Sequence, residues 1–272
     1  MNSEFIPRHQ MENGSFFSID KIESADEIFF KEIHRHNFFE LLWFTQVSKS
    51  DFHWIDFEKY PLKNNQIFIL TPHQVHQMDI GKKKGYILTF SDDFFKSLVD
   101  FPTKLLFKPF FFEQHIDNSV SEILEKIITL VEDEYNNDGR RNILQAYCTA
   151  FILHFPLLYD SKFISNNDRI SKLLELIDSN YKNHKEVDFY ANELALSVRQ
   201  LNEICVTSTG KPVKQLILDR LIVEAKRLIA IPYLSISQIA YELNFKEPAY
   251  FTRIFKHKAG ISPIEFRNTL NS

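Results

Sequence analysis

Apolar residues change their spacing along this chain, and the changes divide it. Between residues 26 and 90 they come in short runs, of which Gln66–Leu70 and Tyr86–Phe90 read as buried strands, while Asp51–Phe57 alternates only in part. Pro61, Asn64, Asn65, Pro72, Gly81 and Gly85 punctuate these runs as turn residues. Short strands at close intervals predict an antiparallel sandwich or barrel. From Ser91 the spacing becomes helical. Ser91–Asp100 opens with capping residues and predicts a short helix, and residues 105–116 follow as an aromatic crossing segment containing Pro109. Val120, Ile123, Leu124, Ile127, Ile128 and Val131 then make one apolar stripe, and Ile143, Leu144, Tyr147, Ala150, Phe151 and His154 another. With Asn136–Gly139 as the turn, they predict a helical hairpin.

Beyond a short polar linker at 161–168, every apolar pattern is helical. Ile170, Leu173, Leu174, Ile177 and Tyr181 mark a first helix. Near the C-terminus, Ile239, Ala240 and Leu243 form one helical face, Asn244 and Phe245 close it, and Pro248 opens a second helix. That helix buries Phe251, Ile254 and Phe255, turns Tyr250, Thr252, Arg253, Lys256 and His257 outward, and ends at Gly260. The unit has the grammar of a helix-turn-helix, and it occurs twice. Ala191 and Leu194 match Ala240 and Leu243 at an offset of 49, whereas Leu201, Ile204 and Gly210 match Phe251, Ile254 and Gly260 at an offset of 50. The one-residue difference falls in the turn, where such a repeat absorbs it. Between the copies, Pro212 opens a long helix running to Ile231.

Two such units joined by a long helix resemble the double helix-turn-helix domain of AraC-type transcriptional regulators. The residues that carry the likeness are Ala249–Lys256, Gly260, and Ser262, Pro263, Phe266 and Arg267. The resemblance implies an α+β chain: an N-terminal cupin-like β-barrel (jelly roll) over 1–115, a helical hairpin for dimerisation over 116–160, and an all-α domain with two helix-turn-helix motifs over 169–272. It implies double-stranded DNA as partner, a small-molecule effector, a homodimer, RNA polymerase as a further partner if the protein is an activator, and no enzyme activity. In the first copy Ser197 caps the recognition helix, Arg199 is placed to take guanine, Gln200 or Asn202 adenine, and Glu203 to accept from a cytosine amine. This copy departs from the family, which often has basic residues near 203 and 206. In the second copy Pro248, Tyr250, Thr252, Arg253, Lys256 and His257 face DNA, with Arg253, Lys256, His257 and Thr252 on phosphates.

Charge agrees with the division. Residues 166–272 carry 15 Lys and Arg against 12 Asp and Glu, leaving residues 1–165 at −7 within a whole-chain charge of −4. Cys148 and Cys205 sit in apolar helical patterns and read as buried hydrophobes of a reducing cytosol. No signal peptide and no apolar run of membrane-spanning length is evident, so a cytoplasmic, membrane-free protein is expected.

One constellation in the strand region carries candidate chemistry. His34 and His36 lie on one face of a strand, Glu40 follows four residues after His36, and His76 lies on a later run. These residues look like the first motif of cupins. They define a three-His, one-carboxylate set that a metal-dependent enzyme would use. The second motif departs from that pattern: Pro72–His76 is one residue short, and Gln74 stands where a glycine would ease a tight turn. His73 reads as a surface turn residue. The expectation is therefore no metal and no cofactor. His34, His36, Glu40, Trp43, Trp54 and His76 are instead read as lining an effector pocket within an aromatic-rich barrel. Two alternatives stay open: a metal-dependent cupin enzyme with a helical assembly domain, and a constitutive DNA binder whose barrel holds no ligand.

Overall fold

Residues 7–98, 111–155 and 167–270 are described by a computed structural model. Within them ten strands form two sheets of five. The first sheet has the order β1 (Arg8–His9), β3 (His34–His36), β8 (Val75–Gln77), β5 (Phe52–Ile55), β6 (Glu58–Pro61). The second runs β10 (Phe111–His115), β7 (Gln66–Leu70), β4 (Phe39–Gln46), β9 (Lys84–Phe90), β2 (Phe17–Lys21), antiparallel throughout. In the first sheet β1 joins β3 in parallel, and the other pairs are antiparallel. The architecture is α+β with a cupin-like pair of sheets. Among the described residues the sheets face each other without closing into a barrel.

Strands β4 and β7 are buried at nearly every position because their sheet is covered on both sides. Leu42, Phe44, Phe68, Leu70 and Ile87 point to the first sheet and pack with Ile55 and Met78. The intervening Phe39, Leu41, Trp43, Ile67 and Leu88 point the other way. There they meet α2 (Asp92–Leu98), α3 (Asn118–Asn136) and α4 (Arg141–Leu153) through Phe94, Leu124, Ile128, Val131, Leu144 and Phe151. The hairpin predicted at 116–160 thus shares one core with the sheet and is no separate body. A short helix, α1 (Glu27–Lys31), leads into β3. The first part of the predicted crossing segment and the linker at 161–166 lie outside the described residues.

Contacts divide the chain into two units, one within 7–165 and one containing 166–272. The second holds seven helices among the described residues: α5 (Asn167–Asn180), α6 (Val187–Glu193), α7 (Val198–Thr209), α8 (Val213–Ile229), α9 (Ile236–Glu242), α10 (Pro248–Ala259) and α11 (Pro263–Leu270). α8 is buried at Val213, Leu216, Ile217, Leu221, Ile222, Ala225 and Ile229, a stripe wide enough to hold both repeats.

Candidate nucleic-acid interface and a buried histidine cluster

The two helix-turn-helix copies repeat down to single hydrogen bonds. Ala195 and Asn244 take left-handed backbone at φ 51° and 54°. One residue later the N–H of Leu196 donates to the Ala191 carbonyl, and that of Phe245 to the Ala240 carbonyl, both at 2.9 Å. The offset is still 49 at these positions, so the extra residue of the second copy lies between Phe245 and Pro248. Gly210 and Gly260 close α7 and α10 at φ 73° and 79°, as helix-ending glycines. Leu201 and Cys205 anchor α7, and Phe251 and Phe255 anchor α10.

The opposite faces carry the predicted DNA residues, two of which make hydrogen bonds within the protein. Ser197 caps α7, and Gln200 turns back to it: Gln200 Oε1 accepts from Ser197 N at 3.0 Å and from its hydroxyl at 2.9 Å. Asn202 Oδ1 accepts from Val213 N at 3.1 Å, holding the first turn of α8, while its amide donates to the Val198 carbonyl. Both side chains assigned to adenine are therefore committed to helix ends in this structure. Arg199 and Glu203 are the charged residues on the outward face of α7. These are 88% and 62% exposed, and Arg199 Nε donates to Glu203 Oε1 at 2.9 Å. An exposed pair of this spacing contributes about 0.3–0.5 kcal/mol, so base edges replace it at little cost. On α10, Tyr250, Arg253, Lys256 and His257 are exposed, Thr252 and Pro248 are half-buried, and the Arg253 guanidinium lies 5.3 Å from the Tyr250 ring centre. The basic residues of α8 serve the fold: Arg220 donates to Asp178 at 2.6 Å and to Glu224, and Lys214 donates to the Lys185 carbonyl and pairs with Glu186. Arg267 of the C-terminal signature donates to the carbonyls of Ile229 and Leu234, at and just beyond the end of α8. Its role is structural.

In the sheet unit, β3 turns His34 and His36 inward on one face, β4 supplies Glu40, and β8 supplies His76, all buried. His36 Nε2 and His76 Nε2 lie 3.3 and 3.4 Å from the same Glu40 oxygen. His34 stands beside them, its ring centre 4.1 Å from that of His76. Neither tryptophan joins this set. Trp43 follows odd-numbered positions of β4 to the helical face, where it packs on Phe151. Trp54 lies on the outward, half-buried side of β5. The six-residue effector pocket expected from sequence is thus split by strand parity. The sequence reading missed His53, which is fully buried with Nε2 3.1 Å from His76 Nδ1. Its signal was present, since His53 shares an inward parity with Ile55. In the turn before β8, His73 is an exposed turn residue, as expected. His73 takes the left-handed position at φ 71°, and the buried Gln74 accepts from Thr71 N at 2.6 Å and donates to Asp56.

Burial favours the neutral imidazole at His34, His53 and His76. Desolvation lowers His34 to about 4 despite a hydrogen bond to the Glu32 carbonyl, lowers His53 to about 3, and pushes His76 well below its ordinary value. In the unfolded chain each takes up its proton near pH 6.5, whereas the folded unit resists until well below that. Stability is therefore fully present above pH 6.5 and is lost as pH falls towards 4. Urea midpoints of the metal-free protein followed by tryptophan fluorescence should fall across this window. A flat profile between pH 6.5 and 4.5 would contradict the burial.

Comparison with known proteins agrees with the helical unit. A family described as helix-turn-helix domain matches residues 190–269. The chain is similar to an uncharacterized HTH-type transcriptional regulator, YfiF of Bacillus subtilis (strain 168), at 25% identity over 263 residues, covering 87% of this chain and 78% of that protein. It is similar to the HTH-type transcriptional activator RhaS of Mannheimia succiniciproducens at 23% identity over 150 residues, spanning about half of each, 54%. Among solved structures, ToxT of Vibrio cholerae with bound unsaturated fatty acid aligns over 94% of this chain and 96% of its own, at 19% identity and a TM-score of 0.47. The fold and the paired helix-turn-helix units define a DNA-binding transcriptional regulator. The helix-turn-helix match at residues 190–269 and the similarity to HTH-type transcriptional regulators agree with the AraC-type resemblance carried by the C-terminal motif.

Proposed function

We propose that this regulator reads a bipartite duplex site, α7 entering one major groove and α10 the next, with α8 fixing their separation. The observation that carries this reading is the backbone repetition of the two units about one shared helix, with polar faces left outward at Arg199 and Glu203 and at Arg253, Lys256 and His257. Arg199 takes a guanine edge and Glu203 a cytosine amine, while α10 sets register through phosphates. The sheet unit acts as the responsive part, changing DNA affinity when a small molecule favours one of its states. A homodimer formed through the hairpin is supported by α3, which keeps Ile123 and Leu130 40% and 45% exposed beside its buried stripe. Among the described residues no helix is long and apolar enough to cross a membrane. The reading places the chain with its DNA in the cytoplasm, gives it no catalytic step, and adds RNA polymerase as partner where it activates.

Selection from random duplex DNA, followed by salt titration of the winning site, tests this. The expected site has two elements about 34 Å apart, roughly one helical turn. Enrichment of a single element, or none from folded protein, would remove the two-groove reading. Arg199→Ala should relax preference at one base pair by about 1–3 kcal/mol of discrimination. Arg253→Ala should weaken all sequences alike and reduce the slope of log K against log salt by about 0.9. An Arg199→Ala protein that selects the wild-type site unchanged would end the assignment of that residue.

A further inference from the structure

We propose that the sheet unit binds a divalent transition-metal ion through His36, Glu40 and His76, contrary to the metal-free expectation from sequence. The three ligand atoms lie within 4.8 Å of one another, and all three side chains are buried, at 0%, 3% and 1% exposure. Among the described residues, His36 Nε2, His76 Nε2 and the shared Glu40 oxygen find no hydrogen-bond partner. Buried polar atoms aimed at one point and left unsatisfied are costly unless something else occupies that point.

An ordinary ion pair does not account for the geometry. A charge-assisted N–H···O bond is about 2.7–2.9 Å long, and one proton satisfies one nitrogen. Here two nitrogens stand at nearly equal distances, 3.3 and 3.4 Å, from one oxygen, and neither contact has hydrogen-bond geometry. Metal ligation predicts such a spacing. With metal–ligand bonds of about 2.0–2.1 Å, two ligands of a tetrahedral ion stand about 3.3–3.4 Å apart.

The outer contacts orient the rings for this task. His36 Nδ1 donates to the Phe38 carbonyl at 2.7 Å, which fixes its proton there and leaves the Nε2 lone pair facing Glu40. His76 Nδ1 lies 3.1 Å from His53 Nε2, and with the shared proton on His76 Nδ1 its Nε2 lone pair likewise faces Glu40. Such outer partners are what metal-binding histidines require. Two imidazoles and a carboxylate suit Zn(II), Fe(II), Co(II), Ni(II) or Cu(II), and three protein ligands leave a position for water or a small-molecule donor. The ligands come from both sheets, β3 and β8 on one and β4 on the other, so the ion staples the unit together.

The test uses tag-free full-length protein stripped by a chelator, then titrated with Zn(II), Ni(II) and Co(II) in turn against a chromophoric competitor, without DNA. One ion per chain is expected, with a higher melting temperature on loading. His36→Gln and Glu40→Gln should each weaken binding more than 100-fold, and His53→Phe, which touches no metal, by about 10–100-fold. Uptake of none of the three ions by folded protein, or unchanged affinity in the Gln variants, would overturn the proposal. Should those variants fail to fold, X-ray absorption of the Zn(II)-loaded wild type decides it: an imidazole and carboxylate shell supports the site, and any other shell overturns it. The measurement is independent of DNA binding, so its failure leaves the regulator reading intact.

Discussion

Gly85→Ala will unfold the sheet unit under conditions in which the wild type is folded, at a cost of about 4 kcal/mol or more. Gly85 lies within β9 opposite the point where the register of β4 slips between Phe44 and Gln46. Its φ is +149°, and a Cβ there would sit inside the van der Waals envelope of the Trp43 carbonyl oxygen, with Trp43 C at 2.9 Å and Thr45 N at 3.1 Å. These are backbone atoms of a central strand buried on both faces, so no side-chain rotation relieves the clash. The pair must separate, or the bulge must move and carry one run of β4 to the wrong face. The protein has two tryptophans, Trp43 and Trp54, both in this unit, so tryptophan emission reports on it alone. A Gly85→Ala protein with the wild-type urea midpoint by that signal would show that the bulge is not fixed by this glycine.

That glycine also shows where sequence reading stops. It was read as a turn marker beside Gly81, because a glycine between polar and apolar residues looks alike in a turn and in a bulge. The distinguishing fact is the carbonyl of Trp43, some forty residues away in sequence, which no local pattern contains. The helical unit was legible for the opposite reason. Its turns, glycine ends and buried phenylalanines are set within a few residues of themselves, and the chain states them twice. The repeat even located its own one-residue insertion, which the backbone places between Phe245 and Pro248.

The candidate sites divide along the same line. Exposure of Arg199, Glu203, Arg253, Lys256 and His257 followed from helical period. The diversion of Gln200 and Asn202 to helix ends did not, since a polar residue on an outer face reads alike whether it meets DNA or a cap. The Ser197–Gln200 spacing was nevertheless a capping-box signal. In the sheet unit, His34, His36, Glu40 and His76 were recognisable as one set because strand parity is a local rule. Trp43 was misplaced by neglect of the same rule, being odd where Glu40 is even. His53 was overlooked although its parity marked it as inward; its partner across the strands, His76, appears only in the paired sheet.

Phe251→Ala should remove about 3–5 kcal/mol from the helical unit, a large share of the about 5–15 kcal/mol that holds a domain folded. Phe251 is fully buried, with its ring 5.4 Å from Phe245 of the turn and 6.0 Å from Phe255, which in turn meets Phe266 of α11 at 5.7 Å. Truncation opens a cavity where the turn, the recognition helix and the final helix converge, and the neighbouring rings are themselves held too tightly to fill it. The adjacent residue supplies the control. Tyr250 is 50% exposed on the outer face of α10, so Tyr250→Ala should change the helical unfolding midpoint by less than about 0.5 kcal/mol while weakening DNA binding. Far-ultraviolet circular dichroism in urea, paired with binding to the selected site, separates the two effects. Phe251→Ala should lose helix and DNA binding together, and Tyr250→Ala should lose binding alone. Equal stability losses at the two positions would mean that α10 is not seated as described, and the assignment of its outer face to DNA would fall with it.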